Sequence, residues 1–118
     1  MTPATRKVAE ALLAARNAGS REQVRALLAA DATYWDCLGG RVGGAEAVTE
    51  SLVASGGSPR FVVETLAAAE DRAVMELRVS SGQGSDVAGY PVTEVYELRR
   101  GLVASCRAYL DPEDVRGA

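Results

Sequence analysis

Residues 61–110 hold four runs of alternating apolar and polar side chains separated by short turn signals, and nothing else in the chain constrains its fold as tightly. The runs are 61–69, 73–80, 88–99 and 102–110. The breaks are Asp71-Arg72, a longer glycine-containing stretch at 82–86, and Arg100-Gly101. Successive strand residues point to opposite faces, so a meander of this kind offers one apolar face that has to be covered. The cover is found upstream. Residues 4–17 carry Val8, Leu12 and Leu13 at helical spacing among alanines, and alanine is the strongest helix former. Ser20-x-x-Gln23 has the form of a capping box opening a second helix to about residue 30, with Val24, Leu27 and Leu28 on one face. Residues 32–37 read as a short strand, and the glycines at 39, 40, 43 and 44 frame a loop. Residues 45–54 read as a third helix, broken by 55–59. Residues 111–115 form a tail. The order α-α-β-α-β-β-β-β predicts one α+β domain spanning 1–118, with helices on one face of a strongly curved, mostly antiparallel sheet. A cleft between the two layers is the place for a small ligand.

Composition narrows the chemistry. The 118 residues include no histidine, two cysteines (Cys37 and Cys106), and a formal charge of −3. Without histidine, Ser-His-Asp and Cys-His mechanisms are excluded, as are histidine-containing zinc sites. Two cysteines do not make a metal cage, and no cofactor is expected. A weakly acidic chain with no Lys/Arg cluster lacks the footprint of a nucleic-acid binder. No run of 18 apolar residues is present, and residues 1–16 lack the apolar core of a signal peptide. A cytoplasmic location without membrane attachment is the expectation. Any proton must be moved by Asp, Glu, Tyr, Lys or Cys.

Two carboxylates stand out. The third meander run places Ala88, Tyr90, Val92, Glu94, Tyr96 and Leu98 on one face. That row is apolar enough to look inward, yet it contains Glu94. A buried carboxylate without a cation is pushed towards its neutral form. The alternative is that Glu94 sits at a frayed end or pairs with an arginine. In the last run Leu102, Ala104, Cys106, Ala108 and Leu110 form an apolar row whose small members leave space. Asp36 ends the first strand, with Tyr34 on its face and Trp35 on the other; an ordinary turn aspartate is the competing reading. The 73–80 run is ambiguous. Either Met75 and Leu77 face the core, or they form a dimer interface on the convex face while Glu76 and Arg78 face the cleft. In the second case Glu76, Arg78 and Glu94 would also be able to form a buried ion network that only fixes the core.

The segment Leu28-Ala-Ala-Asp31-Ala-Thr33-Tyr-Trp-Asp36, then Gly43-Gly-Ala-Glu-Ala-Val48, and the ending Cys106-Arg-Ala-Tyr-Leu-Asp111 resemble the SnoaL-like branch of the nuclear transport factor 2-like superfamily, over about Val8 to Val115. The resemblance implies a sheet coiled into a cone-shaped barrel with an internal pocket. Asp36 falls where ketosteroid isomerases of that superfamily carry their general base, and Glu94 where they carry a protonated oxyanion donor. Their helix tyrosine falls near Leu12 here. Limonene-type epoxide hydrolases match at Tyr34, which would position water, and at Arg78, which the resemblance turns towards the cleft; their two triad aspartates are replaced by Ser80 and Ala108. Epoxide hydrolases of polyether biosynthesis suggest Glu64 as a second acid.

The resulting expectation is an isomerase, cyclase or epoxide hydrolase acting on an apolar oxygenated molecule such as a polyketide, terpenoid or steroid. Asp36, Glu94, Tyr34 and Arg78 would be catalytic. Glu76, Tyr90, Tyr96, Cys106, Leu12 and Trp35 would contact substrate, and the chain would act as a homodimer through the Met75/Leu77 row. The alternative is a non-catalytic binding or dimerisation module of the same fold.

Overall fold

The computed structural model describes residues 3–53, 59–80 and 89–116. Helix α1 (Pro3–Ala18) and helix α2 (Arg21–Ala26) form the expected hairpin. Ser20 caps α2, its hydroxyl accepting from the Gln23 backbone N–H. Strands β1 (Leu28–Asp36) and β2 (Gly40–Gly43) follow, then α3 (Ala45–Leu52). The meander is β3 (Arg60–Ala69), β4 (Arg72–Ser80), β5 (Tyr90–Arg99) and β6 (Leu102–Tyr109), and α4 (Pro112–Arg116) ends the described chain.

The six strands make one sheet in the order β2-β1-β6-β5-β4-β3. Every neighbouring pair is antiparallel except β1 with β6, which is parallel. The sheet therefore stays open, with β2 and β3 at its edges, and does not close into the expected barrel. Helix α1 packs on β3 and β4, α3 packs on β1 and β2, and α2 bridges the two helices. Ala9, Leu12 and Leu13 from α1, Val48 and Leu52 from α3, and Met75, Leu77, Val92 and Tyr96 from the sheet share one core.

Several expectations are corrected at element ends. The second helix stops at Ala26, because Leu27 is its C-cap and Leu28 already belongs to β1. A Leu-Leu-Ala-Ala run fits a buried strand as well as a helix, and the pairing with β6 decides. The glycine stretch after β1 contains a strand, since Thr33–Asp36 has Gly40–Gly43 as its antiparallel partner. The expected break at 55–58 and the loop at 82–86 lie outside the described residues.

Two bulges re-aim side chains. Ladder pairing passes from Leu98–Val103 to Glu97–Ser105, so Ala104 is an extra residue on β6. Alternation restarts there. Val103, Cys106 and Ala108 point inward, whereas Leu102, expected in that row, is exposed. A second shift at Glu64 in β3 turns that acid out to solvent.

The orientation of β4 is unambiguous. Ala73, Met75, Leu77 and Val79 are buried under the helices, and Glu76 and Arg78 lie on the uncovered face. The local apolar pattern wins because the helices present Leu12 and Leu13 to that row. This removes the Met75/Leu77 basis for a dimer. It also takes Arg78 and Glu76 out of the cleft, against the expected catalytic and substrate-contacting roles. Arg78 instead meets Glu64 at 3.6 Å, and the Thr65 hydroxyl donates to Glu76 at 2.7 Å. The imagined Glu76–Arg78–Glu94 network does not form.

Candidate active site

A cavity of about 170 Å³ opens between α1, the end of β1 and the start of β5. Its polar lining is Arg16, Tyr34, Asp36, Ser51, Tyr90 and Glu94; Phe61, Val92, Ala108 and Leu110 supply apolar wall. Asp36 and Glu94, distant in the chain, therefore face one hollow. They get there because β6 lies between β1 and β5 and carries only Ala108 beside both. A bulkier residue at 108 would fill the space.

Asp36 is fixed by its own turn. Its Oδ1 accepts the backbone N–H groups of Leu38 at 2.8 Å and Gly39 at 2.6 Å, an Asx-type arrangement. Its Oδ2 accepts the Tyr34 hydroxyl at 2.8 Å. A carboxylate oxygen has two lone-pair directions, so Oδ1 is fully used and Oδ2 keeps one free. Burial, then the hydrogen bond to Asp36, pushes the Tyr34 pKa far up. Tyr34 thus remains a donor to Asp36 at any working pH.

Glu94 takes the second of its two expected settings, paired with an arginine. It is 2% exposed, and both its oxygens accept from Arg16, at 2.6 Å from Nη1 and 3.2 Å from Nη2. The Arg16 Nη1 also donates to the Tyr96 hydroxyl at 2.7 Å, and Nε donates to the Leu52 carbonyl at 3.1 Å. Burial works against the Arg16 cation, but the charge of Glu94 outweighs it together with Tyr96, and the guanidinium is held well above the ordinary arginine value. The Phe61 ring lies 4.0 Å from its Cζ, a cation–π contact. Asn17 holds Phe61 there by a reciprocal pair of 2.8 Å bonds to the Phe61 backbone.

Arg16 is the residue of the candidate site that the sequence alone did not single out. Its signal was present: Ala9, Leu12, Leu13 and Arg16 share one helix face at i, i+3, i+4 and i+7, so Arg16 is a single charge on an apolar stripe. Such a charge calls for a buried partner, and Glu94 on an apolar strand row calls for the same.

The other expected contacts divide. Tyr90 lines the cavity and is half-buried. Tyr96 and Cys106 are buried behind its wall, Tyr96 spending its hydroxyl on Arg16. Burial, then Glu94, pushes the Cys106 thiol up. Leu12 is wholly core. Trp35 stands on the opposite face against Tyr109, with ring centroids 5.4 Å apart. A larger, shallower groove of about 530 Å³ runs along the β3–β4 turn. Its walls are exposed turn residues and the Arg72–Glu97 ion pair, so it brings no set of polar groups to a common point. Among the described residues no three His, Cys, Asp or Glu side chains cluster in a way that would hold a metal ion. No described helix is long and apolar enough to cross a membrane.

A family model described as a SnoaL-like domain matches residues 9–106. No curated protein matches the sequence. The fold is similar to that of an LEH-like epoxide hydrolase from M. tuberculosis, with a TM-score of 0.80, 21% identity, and 98% of this chain and 89% of that chain covered. It is similar to a candidate ketosteroid isomerase from Kribbella flavida, at 0.80 and 22%, over 93% and 79% of the two chains. It is also similar to an NTF2-like protein of unknown function from Cytophaga hutchinsonii, at 0.79 and 17%, over 95% and 94%. At such identities the likeness is one of fold.

Proposed function

We propose, on the premise that the chain belongs to the SnoaL-like domain family, that it is a small acid–base enzyme working without a cofactor, in which Asp36 moves a proton beside the carbonyl of an apolar, oxygenated molecule. The observation that carries this reading is the Asp36 carboxylate. It sits at a cavity with a partly apolar wall, oriented by three hydrogen bonds, with one Oδ2 lone pair left unused. A base held in this way needs little reorganisation when it reacts.

In the step we envisage, Oδ2 of Asp36 takes a proton from the carbon next to the carbonyl. The C–H electron pair becomes a C=C bond, and the carbonyl π pair moves onto oxygen. The acid formed at Asp36 then returns the proton to the far carbon of the conjugated system, so the product is an isomer and the enzyme is unchanged. Tyr34 keeps Asp36 aimed. The Arg16–Glu94 pair holds the cavity floor rigid and takes no part in proton transfer.

Cavity size narrows the substrate. A void of about 150 Å³ accommodates one benzene ring, and drug-sized sites run to roughly 300–1,000 Å³. The 170 Å³ here suits one ring, so a larger terpenoid or polyketide would insert only its reactive end.

The test is isomerisation of cyclohex-3-enone to its conjugated isomer, followed by absorbance. A positioned general base is worth about 10²–10⁴-fold in rate, so Asp36→Asn should lose that factor. Equal rates in the two proteins would remove Asp36 from the role. A second reading, a binding module without chemistry, draws support from the Arg16–Glu94 pair, which engages both oxygens of the second carboxylate. Ligand uptake without turnover would favour it.

A further inference from the structure

We infer that the Tyr90 hydroxyl receives the ligand's oxygen, and that the cavity selects uncharged carbonyl or ether compounds over carboxylates. This deepens the reading above and rests on its site.

The inference comes from an accounting of the polar side chains that line the cavity. Tyr34 donates to Asp36. Ser51 donates to the Ala47 carbonyl at 3.1 Å. Glu94 is consumed by Arg16, which spends four of its five N–H bonds on Glu94, Tyr96 and Leu52, and Phe61 lies over its guanidinium. Asp36 has three acceptor positions filled. Among the described residues, Tyr90 is the polar side chain of the lining that makes no hydrogen bond. Its hydroxyl is open to solvent, so a ligand oxygen can take the place of water there without displacing any protein hydrogen bond.

Its position is built. Tyr90 begins β5 and pairs with Val79 of β4. Gly89 before it has φ +77°, and a Cβ there would come within 2.3 Å of the Val79 carbonyl oxygen. The chain is thereby turned tightly onto β4 just where Tyr90 enters the sheet. Burial, then the negative charge of Asp36, pushes the Tyr90 pKa up. The hydroxyl therefore keeps its proton and lies close enough to Asp36 to feel its field. One free donor and one free acceptor site, Asp36 Oδ2, thus flank the same space. A ligand that accepts a hydrogen bond from Tyr90 presents its neighbouring C–H to Asp36.

Charge decides the rest. Arg16 is neutralised by Glu94, and Arg78 lies on the other face of the sheet. The lining retains the net negative charge of Asp36. A carboxylate ligand would find no uncommitted cation, and like charges in a poorly solvated site repel strongly. A neutral oxygen meets no such penalty.

The experiment titrates the protein, carrying ¹³Cζ-labelled tyrosine, with cyclohex-2-enone and separately with cyclohex-2-ene-1-carboxylate. The enone should shift the Tyr90 signal, and Tyr90→Phe should weaken its binding about fivefold, the value of one neutral hydrogen bond. The carboxylate should bind at least about tenfold more weakly than the enone, and Asp36→Asn should narrow that gap. Thermal melts of both variants matching the parent would show that folding is intact. Unchanged enone affinity in Tyr90→Phe, no enone binding, or equal binding of the carboxylate would each overturn the inference. Enone binding through Tyr90 without isomerisation of cyclohex-3-enone would instead sink the catalytic reading and leave this one standing.

Discussion

Replacing Arg16 by methionine should cost the protein about 3–5 kcal/mol, because it leaves Glu94 as an uncompensated buried charge. The side chains of the pair are 2% and 3% exposed, so water is not available to take over. The same change strips the donor from the Leu52 carbonyl and from the Tyr96 hydroxyl. A domain of this length has roughly 6–18 kcal/mol in total at 0.05–0.15 per residue, so the loss is a large share. Glu94→Leu alone should cost a similar amount, by stranding the guanidinium. The double variant should recover much of it and fall within about 2 kcal/mol of the parent, since apolar groups of similar volume replace a buried pair at little net cost. The coupling energy is then about 4 kcal/mol or more. Urea unfolding of the four proteins, followed through the single tryptophan, Trp35, measures it. Additive losses, with a coupling below about 0.5 kcal/mol, would refute the claim that the two residues form one desolvated unit.

Gly89→Ala should destabilise by about 2 kcal/mol or more and displace Tyr90. The new Cβ meets backbone at 2.3 Å, where no flexible side chain can yield, and φ is +77°; denaturant midpoints check the first effect and the Tyr90 ¹³C signal the second. Glu97→Gln should flatten the acid limb of stability. Arg107, then Arg72, holds the Glu97 carboxyl below its ordinary value of 4.5, so this contribution is fully present above pH 4.5 and is lost as pH falls through the lower folded value. Melting temperatures from pH 6 to pH 3 should fall less steeply in the variant, by a small margin because the group is well solvated.

The helix hairpin and the meander were legible because their periods are strong and their turns are chemically marked. Arg100-Gly101 is an instance, both residues having positive φ as a tight hairpin turn requires. Tyr34 and Asp36 were legible as same-face neighbours from strand alternation alone. What escaped was whatever depends on a distant partner. Gly40–Gly43 has only Arg41 and Val42 between its glycines, too few side chains to show a pattern, and pairing with β1 makes it a strand. The bulges at Ala104 and Glu64 are events between strands, invisible in either strand's own sequence. Arg16 was hidden by its setting, because a charged residue near a helix end looks like solvated punctuation until Glu94 is seen beneath it. Arg78 shows the opposite failure: its own strand pattern pointed it outward, and a supposed dimer face together with family likeness turned it in.

The parallel seam of β1 and β6 sets an order of events during synthesis. Tyr34 cannot find Cys106 until nearly the whole described chain has left the ribosome. Until then the first strand has only its short glycine-rich neighbour as a pairing partner, and Asp36 lacks the Ala108 and Glu94 side of its hollow. Contacts of such long sequence separation form late. Growth of the nascent chain therefore withholds the candidate hollow to the end, and any stall before the last strand emerges would leave an early edge open to wrong partners.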